Sequence, residues 1–396
     1  MSTPSQKLFD VLIVGGGPAG SQLARLLAQQ GAWVGIIEKS QIPREKVCGG
    51  GVTRKALGLL DVDVKAVVHQ WITGAHLCFA NRSSVLKSVD PPAGCTVLRS
   101  EFDTFLLNRA CSAGARLYAR TQFLGATVAS GSVEVQTNQG AFRCRLLIGA
   151  DGIASTVRSK FFYKHLVRYV PALEALIPRG PEHEAQFEQH VLFDFGAMER
   201  GYGWIFPKRD HLNVGVYSPY GGRRLREQLA AFIARYSTKQ ASATVAYLGF
   251  PIPVRNVSGR FQADRVWLLG DAAGLADGLF GEGIYFAMKS ATLAAQALAQ
   301  TDFSPSSTRY TDLIKEELLP ELRASEWMGK ALFAFPSFAF SHLVCNPSVN
   351  DRFAGLLSGG VGYRECLRKT VASAPQWLFA RERKFPQAAP LPPPAR

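Results

Sequence analysis

The N-terminal part of the chain combines two apolar runs with one amphipathic stretch. Val11 to Val14 form an uninterrupted apolar run, which is typical of a buried parallel strand, and Trp33 to Ile37 form a second one. Between them, leucines recur at the spacing of a helix with one buried face. The pattern therefore predicts a strand, a helix and a second strand over residues 10–38.

Further along the chain the pattern alternates between strands and helices. Residues near 71–86 alternate as in a strand pair, and helical spacing returns after Arg99, with Phe102 and Leu106 on one face. Residues 127–135 and 141–148 predict two antiparallel strands joined by a turn at 138–140. Residues 161–254 contain short strands rich in aromatics and one helix, and helices dominate beyond Ser304.

This order of elements predicts an α/β protein with a discontinuous Rossmann-like domain. A second, mainly antiparallel-sheet substrate domain and a helical C-terminal region complete the prediction, because a chain of 396 residues exceeds one ordinary core. The predicted boundaries are 1–75, 98–160 and 255–303 for the Rossmann-like domain, 76–97 and 161–254 for the substrate domain, 304–389 for the helical region and 390–396 for a disordered proline-rich tail.

Composition narrows the classes of function. Hydrophobic residues make up 47% of the chain, which excludes a largely disordered protein. The formal net charge is +14. This excess fits either a solvated basic surface or attraction to an anionic membrane or a phosphorylated ligand. No nucleic-acid-binding motif is found, so no nucleic-acid partner is predicted.

Cysteines and apolar runs bear on the compartment. The seven cysteines show neither a disulfide framework nor a metal-binding spacing, so no metal site is predicted. Residues 1–10 lack the pattern of a secretory leader, which favours a cytoplasmic protein. Ala331 to Val344 carries four phenylalanines around Pro336 but is too short to span a bilayer. We expect this segment to be either interdomain core or an apolar mouth lying on a membrane surface.

The first turn carries a dinucleotide-binding pattern. Gly15, Gly17 and Gly20 follow the first strand with G-x-G-x-x-G spacing. The first glycine permits a sharp turn, the second permits close approach of a pyrophosphate, and the third allows the helix to lie on the sheet. The helix N-terminus, with Pro18 and Ala19, then faces the phosphates. Glu38 ends the second strand, where a carboxylate can bind ribose hydroxyls.

Two later segments complete a recognisable set. Asp151-Gly152 follows a predicted strand, and Gly270-Asp271 follows the apolar run VWLL. With the N-terminal glycines, these segments resemble the flavoprotein hydroxylase superfamily over roughly residues 8–330. The resemblance implies that the cofactor is FAD, with Glu38 on the adenosine ribose and Asp271 on the ribityl chain. The alternative for Asp151 is a simple turn residue.

The late glycine-rich segment predicts contacts to the flavin ring. Gly281, Glu282 and Gly283 precede a helix that begins near Ile284, and its N-terminus would stabilise negative charge on a reduced flavin. Superfamily members usually have Pro and Thr where this chain has Gly278 and Phe280. The other predicted cofactor-binding residues are Lys39, Arg44, Cys48, Gly49, Gly50 and Arg99.

Two motifs resemble one branch of the superfamily, the geranylgeranyl reductases. They are Y-x-W-x-F-P-K-x-x-H-x-N-V-G, from Tyr202 to Gly215, and the Lys46-x-Cys48-Gly49-Gly50 loop. The resemblance implies saturation of isoprenoid double bonds, with hydride supplied by flavin N5. Tyr202 and Trp204 would share one face of a strand and line the prenyl channel; ordinary core packing is the alternative. Lys208 and His211 are either solvated turn residues or diphosphate contacts.

The predicted catalytic residues are Cys48, Tyr202 and Trp204. Cys48 follows Lys46 in a glycine-rich loop, where a cationic neighbour favours a reactive thiolate; a small buried side chain is the alternative. The predicted partner is an isoprenoid or prenylated molecule, with peripheral membrane contact. The reductant is NADPH or another electron donor, and the oligomeric state is left open. Two rival functions are an FAD-dependent monooxygenase or halogenase and a flavin electron carrier on a membrane surface.

Overall fold

The structure is a computed structural model that describes residues 8–80, 84–162, 167–180, 187–236, 246–255, 260–301, 304 and 307–374. Its strands, in chain order, are Phe9–Val14 (β1), Val34–Ile37 (β2), Gly51–Thr53 (β3), Gln70–Ile72 (β4), Gly74–Cys78 (β5), Ser84–Ser88 (β6), Gly94–Thr96 (β7), Arg116–Tyr118 (β8), Phe123–Ala129 (β9), Ser132–Thr137 (β10), Gly140–Gly149 (β11), Val167–Val170 (β12), Ala172–Pro178 (β13), His190–Asp194 (β14), Tyr202–Pro207 (β15), His211–Tyr217 (β16), Tyr247–Gly249 (β17), Ile252–Arg255 (β18), Gln262–Ala263 (β19) and Val266–Leu268 (β20).

The helices lie between and after these strands. Their bounds are Pro18–Gln29 (α1), Arg54–Leu57 (α2), Arg99–Ser112 (α3), Thr156–Phe161 (α4), Leu225–Tyr236 (α5), Ile284–Gln300 (α6), Arg309–Leu313 (α7), Leu319–Ala334 (α8), Pro336–Ala339 (α9), Pro347–Ser358 (α10) and Tyr363–Ala372 (α11). Short 3₁₀ turns occupy Lys65–Val67 and Gly270–Ala273, and π-helical turns occupy Ile314–Leu318 and Phe340–Val344. The predicted tail, residues 390–396, lies outside the described residues.

The first sheet is built from chain segments that are far apart in sequence. Its strand order is β19-β20-β11-β1-β2-β8, with β9 and β10 attached to β11 as an antiparallel extension. The strands β2, β1, β11 and β20 are parallel neighbours. Leu12 and Ile13 are adjacent in β1 and face opposite sides of the sheet, and both are fully buried, so both faces of the sheet are covered. The predicted α/β class with a Rossmann-like sheet is confirmed.

One predicted strand is wrong. Residues 127–135 were expected to form one strand, but β9 ends at Ala129 and β10 begins at Ser132. Gly131 has φ +82°, which lets the chain reverse between them. Alternating apolar and polar residues lie on both sides of this short turn, with Val128 before it and Val133 and Val135 after it, and the prediction joined the two stretches into one strand. The turn predicted at 138–140 is confirmed, with Gly140 at φ +106°.

The second sheet has the order β17-β13-β16-β15-β14-β5-β6. Its pairs are antiparallel except β14 with β5, which is parallel. One face packs on α5, where Leu229, Phe232 and Ile233 are buried against Ile205. The opposite face carries Tyr202, Trp204 and Phe193 and faces the first sheet. Alternation along each strand therefore separates a structural core from the side that borders the cofactor domain.

The C-terminal helices are tied to the first sheet. Tyr310 in α7 stacks on Trp267 in β20, with ring centroids 5.1 Å apart, and its hydroxyl donates to the Leu268 carbonyl at 2.8 Å. Phe333 and Phe340 are buried, each with 1% of its surface exposed. Among the described residues, no helix has the length and apolarity required to cross a membrane.

Candidate functional site

A cavity of about 750 Å³ lies between the two sheets. Its wall includes the glycine-rich turn after β1, the Asp151-Gly152 turn, the Gly281–Ile284 segment and the aromatic face of β15. The predicted dinucleotide segments and the predicted prenyl-binding aromatics thus line one continuous space. Most of the residues predicted to bind the cofactor line this wall. They are Gly15, Gly17, Pro18, Ala19, Glu38, Lys39, Arg44, Cys48, Gly49, Gly50, Arg99, Asp151, Gly152, Asp271, Gly281, Glu282, Gly283 and Ile284.

The three N-terminal glycines have different surroundings. A Cβ on Gly15, which has φ +106°, would collide with the Ala150 carbonyl, and a Cβ on Gly20 would collide with the Gly15 carbonyl. A Cβ on Gly17 would meet only the Arg44 guanidinium, at 3.5 Å. Gly17 therefore has space that the protein itself does not fill, directly at the N-terminus of α1. That space fits the diphosphate of a dinucleotide.

Glu38 holds the loop around the nucleotide end of the cavity. Its two carboxylate oxygens accept hydrogen bonds from the Gly16 and Ser40 backbone N–H groups, each at 2.9 Å. Arg44 lies 3.5 Å from the same carboxylate. Each carboxylate oxygen has more than one acceptor site, so Glu38 can accept further hydrogen bonds from ribose hydroxyls.

Asp103 connects two of the predicted cofactor-binding arginines. Its carboxylate accepts a bidentate pair of hydrogen bonds from Arg99, at 2.8 and 2.9 Å, and lies 3.1 Å from Arg44. Asp103 was not predicted, because a carboxylate within helix α3 gives no motif. Its role is to hold both guanidinium groups at the cavity wall.

The Asp151 and Asp271 segments meet at the same wall. Asp151 Oδ2 accepts from the Thr156 and Val157 N–H groups at 2.7 and 3.2 Å, which caps α4. Its other oxygen is buried without a hydrogen-bond partner in the described structure. Burial raises the pKa of both Asp151 and Asp271, and Lys46 opposes this effect at Asp271. Such an orphaned acceptor fits a hydroxyl donor from a cofactor.

Arg158 joins these two segments and was not predicted. Its guanidinium donates to the Ala272 carbonyl at 2.8 Å and to the Tyr169 hydroxyl at 2.9 Å. Only 4% of Arg158 is exposed. The residue thereby fixes the 3₁₀ turn Gly270–Ala273 relative to α4.

The Gly281–Ile284 segment is held by a buried carboxylate. Asp277 Oδ1 accepts from the Leu279 and Phe280 N–H groups at 2.9 and 2.7 Å, and its Oδ2 accepts from the Glu282 N–H. Burial, reinforced by the nearby Glu282 carboxylate, raises the pKa of Asp277 to about 6. Gly281 has φ +70°, and a Cβ there would lie 2.8 Å from Ile252. The protein's own hydrogen bonds therefore hold the shape of this loop.

Glu282 points to a lysine rather than to open solvent. Its carboxylate accepts from the Thr53 hydroxyl at 2.6 Å and lies 2.5 Å from Lys55 Nζ. Lys55 also lies over the Tyr285 and Tyr363 rings, at 4.4 and 5.0 Å from their centroids. These contacts tie the late glycine-rich segment to β3 and to helix α11.

The Cys48 loop is held from the second sheet. The Cys48 N–H donates to Glu174 Oε1 at 3.1 Å, and the Gly50 N–H donates to the Cys48 sulfur at 3.4 Å. Glu174, in β13, is 5% exposed, and burial raises its pKa. Cys48 itself is half-buried at the cavity wall.

Lys208 fixes the same loop by its side chain. Its ammonium donates to the carbonyls of Gly49, Gly50 and Val97 at 2.7, 3.3 and 2.9 Å. Only 1% of Lys208 is exposed, so the solvated alternative expected for this residue is wrong. Burial lowers its pKa to about 8. Its donors are all directed to backbone carbonyls rather than to the cavity.

The aromatic residues of β15 form the floor of the cavity. Tyr202 and Trp204 are 4% and 7% exposed and line the cavity with Phe206, as alternation along a strand predicts. The Trp204 indole donates to Asn213 Oδ1 at 2.8 Å, and the Tyr202 hydroxyl donates to the Phe280 carbonyl at 2.6 Å. Burial raises the pKa of Tyr202 well above its ordinary value. Both polar groups are satisfied by the protein, which leaves apolar ring faces toward the cavity.

The four phenylalanines of Ala331 to Val344 form one buried pair and one exposed pair. Phe333 packs near Tyr202, with ring centroids 6.4 Å apart, and Phe340 packs near Phe195 at 6.2 Å. Phe335 and Phe338 are 71% and 47% exposed. The segment therefore supplies both interior packing and an exposed apolar surface.

Comparison with known proteins supports the class of cofactor. Residues 9–165 match the family described as an FAD binding domain. The chain is 30% identical to digeranylgeranylglycerophospholipid reductase 1 of Methanothermobacter thermautotrophicus, over 79% of this chain and 84% of the relative.

Two solved structures share the fold. A geranylgeranyl bacteriochlorophyll reductase-like protein from Thermoplasma acidophilum aligns with a TM-score of 0.71 at 23% identity, over 92% of this chain and 99% of that one. The flavin-dependent brominase Bmp2 aligns with a TM-score of 0.74 at 20% identity, over 93% of this chain and 100% of that one.

The Rossmann-like sheet, the space at Gly17 and the matching family define an FAD-dependent oxidoreductase. The similarity to the Methanothermobacter reductase extends over most of both chains and identifies a family within this class. The chain belongs to the geranylgeranyl reductase family.

Proposed function

We propose that this protein reduces carbon–carbon double bonds in the isoprenoid chain of a prenylated lipid or diphosphate. The observation that carries the proposal is the continuity of the cavity, which runs from the space at Gly17 to the aromatic floor at Tyr202 and Trp204. A cavity whose apolar part adjoins the proposed flavin site suits a long apolar chain. The names of the family relatives support the same substrate class.

The chain's own residues bind and orient the two reactants. FAD, when bound and reduced, supplies hydride to one carbon of the double bond. Tyr202, Trp204 and Phe206 provide ring faces on which the alkene can be positioned, and their apolar surface excludes water. We assign Cys48 to the substrate side of the site, where its thiol can hold a proton at Sγ near the second carbon.

The direct test is anaerobic turnover. The purified yellow protein, reduced with dithionite, should convert geranylgeranyl diphosphate or an unsaturated prenyl phospholipid to products that are heavier by two hydrogens per reduced bond. Mass spectrometry of the products measures this increase. Recovery of every prenyl substrate unchanged, from protein that still cycles between oxidised and reduced FAD, would contradict the proposal.

Cys48 provides a more specific test of the site. Because its backbone N–H and the neighbouring carbonyls hold the loop, Cys48→Ala should retain FAD and slow alkene reduction by about a hundredfold, the scale of one lost acid–base group. Single-turnover oxidation of reduced FAD by the prenyl substrate measures the rate. Equal rates in the variant and the parent protein would leave Cys48 with a packing role alone.

A monooxygenase or halogenase is the main rival, because the brominase shares the fold. The W-x-W-x-I-P pattern of halogenases is absent from the sequence, and the corresponding floor segment is Y-x-W-x-F-P from Tyr202 to Pro207. Oxygen consumption with formation of a hydroxylated or halogenated product would favour this rival. Anaerobic saturation of the substrate would favour the reductase.

The reductant and the membrane contact are further parts of the proposal. The sequence has one N-terminal dinucleotide fingerprint, and we assign it to FAD. NADPH or another donor would therefore deliver electrons without a second Rossmann-like domain. We place the exposed side chains of Trp327, Phe335 and Phe338 at a membrane surface from which prenyl chains reach the cavity. Electron transfer to a quinone without prenyl reduction would instead indicate an electron carrier.

A further inference from the structure

The cavity has a second end, far from the glycine-rich turns. Among the described residues of its wall, four cations lie in the cofactor half: Lys39, Arg44, Lys46 and Arg99. Lys87 is a fifth cation of the wall, and it lies on β6, the edge strand of the second sheet at the other side from β17. Lys87 belongs to none of the segments predicted to bind the dinucleotide.

A row of side chains connects Lys87 to the aromatic floor. Lys87 is opposite Ala75, and Ala75 is opposite Val191, in paired strands. Leu192 of β14 pairs with Ile205 of β15 in antiparallel register. One residue further along this pair, Val191 lies beside Phe206. Residues opposite each other on neighbouring strands share a face of the sheet, and all four of these residues line the cavity.

The row defines the distance between β15 and Lys87 and the path between them. Three inter-strand steps separate β15 from β6, which amounts to about 14 Å. At the near end, a Cβ placed on Gly49 or Gly51 would lie 3.1 Å from the Phe206 ring, so Phe206 adjoins the Cys48 loop. An apolar tract of Phe206, Val191 and Ala75 thus leads from the Cys48 loop to a cation.

Lys87 has a weak partner. Its ammonium lies 3.6 Å from Asp351 of helix α10, whose side chain is 85% exposed, whereas Lys87 is 23% exposed. An ion pair with such a solvated partner contributes little, so an anion that enters from the cavity can compete with Asp351. Ala354 and Leu356 of the same helix also line the cavity. Lys87 is therefore a mostly enclosed cation at the end of an apolar tract.

We propose that Lys87 binds the phosphate group of a prenyl substrate whose chain lies along this row toward Cys48. The inference rests on the proposed function and specifies the polar end of its substrate. A lysine ammonium binds phosphate as a compact point charge, and the apolar row suits the attached hydrocarbon. The phosphate belongs either to a free prenyl diphosphate or to a phospholipid headgroup.

Equilibrium binding tests the proposal without requiring turnover. Geranylgeranyl diphosphate and uncharged geranylgeraniol are titrated into the FAD-bound protein and its Lys87→Met variant by calorimetry. We expect the variant to bind the diphosphate about tenfold more weakly and to bind the alcohol with unchanged affinity. Equal losses for the diphosphate and the alcohol would overturn the proposal, as would unchanged affinity of the variant for both the diphosphate and the phospholipid described below.

Two variants sharpen the result. Asp351→Asn removes the competing carboxylate and should tighten diphosphate binding severalfold, the opposite sign from Lys87→Met. Lys65→Met is the matched control, because Lys65 also lies 3.6 Å from an aspartate, Asp63, but is 78% exposed on the surface. It should leave both affinities unchanged. A looser diphosphate complex in Asp351→Asn would contradict the assigned role of this pair.

The same titrations identify the source of the phosphate and separate this inference from the activity. A digeranylgeranylglycerophospholipid in mixed micelles replaces the diphosphate in a second series. If Lys87→Met loses affinity for one of the two phosphate ligands, the result supports the site and identifies that ligand as the source of the phosphate. Lys87-dependent binding without any reduction of either ligand would disprove the proposed function alone. Absence of binding by the parent protein to both phosphates would overturn the site.

Discussion

Single buried polar residues determine how the site is held. Lys208, Glu174 and Asp277 make their hydrogen bonds to backbone groups of the loops that border the cavity. Removing such a residue leaves buried backbone groups without partners, which costs more than the net contribution of the original bond. At the residue scale, the loops owe their shape to buried charged groups that bind the backbone.

Lys208→Met should loosen the Cys48 loop. Three carbonyls lose a donor, so we expect a loss of about 1 to 3 kcal/mol in the free energy of unfolding and faster alkylation of Cys48 by iodoacetamide. Chemical denaturation and peptide mass spectrometry measure the two effects. Lys208→Arg, which retains charge and donors, should restore part of both.

Exposed Lys160 supplies the control for charge removal. Lys160→Met should change the free energy of unfolding by no more than about 0.5 kcal/mol. An alkylation rate at Cys48 that is the same in Lys208→Met as in the parent protein would show that Lys208 does not restrain the loop.

Asp277 should make stability fall as the pH rises through mildly acidic values. Its pKa is about 6 in the folded protein against 3.8 ordinarily, so between these values the folded state binds more protons than the unfolded chain. Stability from this group is then complete below about pH 4 and declines toward pH 6, by about 3 kcal/mol. Urea denaturation across this range should show a decline that is smaller in Asp277→Asn than in the parent protein by the contribution of this one group.

Asp61 provides a control with the opposite shift. A hydrogen bond from Arg25 lowers its pKa below 3.8, so its contribution is present above that value and is lost only in stronger acid. Asp61→Asn should therefore leave the slope between pH 4 and pH 6 unaltered. A parent protein whose stability does not decrease relative to Asp277→Asn in this range would contradict the assignment.

At the scale of elements, the sequence predicted helices and strands better than it predicted turns. The helix that begins at Ile284 and the aromatic strand from Tyr202 to Pro207 were predicted because apolar periodicity and glycine spacing are local signals. The turn at Gly131 was missed because alternation continued on both sides of it. Contacts such as Cys48 with Glu174 join residues far apart in sequence, and no local pattern encodes them.

The glycines of the first turn should respond differently to substitution. Gly17→Val fills open space at the cavity wall, so we expect a folded but colourless protein. Gly20→Val forces a Cβ against the Gly15 carbonyl and should prevent α1 from packing on the sheet. Circular dichroism measures folding, and absorbance near the flavin bands measures FAD content.

The contrast between these two variants supplies the control. A folded Gly17→Val protein with full FAD content would contradict the assignment of the diphosphate to this turn. A Gly20→Val protein as stable as the parent would contradict the packing role of the third glycine.

At the scale of the whole molecule, charge and exposed apolar surface act together. The net charge of +14 attracts anionic lipid headgroups, and Trp327, Phe335 and Phe338 provide exposed apolar side chains in the C-terminal helices. We expect binding to anionic liposomes that weakens at high salt but persists in part, because apolar insertion is not screened. Sedimentation with liposomes at two salt concentrations measures this.

Aspartate substitutions separate the two contributions. Phe335→Asp together with Phe338→Asp should abolish the salt-resistant fraction, whereas Leu124→Asp, at a 51% exposed position on β9, should retain it. FAD content verifies that each variant is folded. Salt-resistant binding by the double variant equal to that of the parent would assign the exposed phenylalanines no membrane role.

The order of the first sheet has a consequence for synthesis on the ribosome. β1 pairs with β11, and β11 pairs with β20, so the sheet lacks its strand β20 until residue 268 has been made. The nascent chain must therefore hold apolar strands without their partners while the second sheet is translated between them. Chains stalled after residue 255 should not retain FAD, and release of the full chain should restore it. The cofactor would then join the protein near the end of translation, and its supply would influence how many new chains escape aggregation.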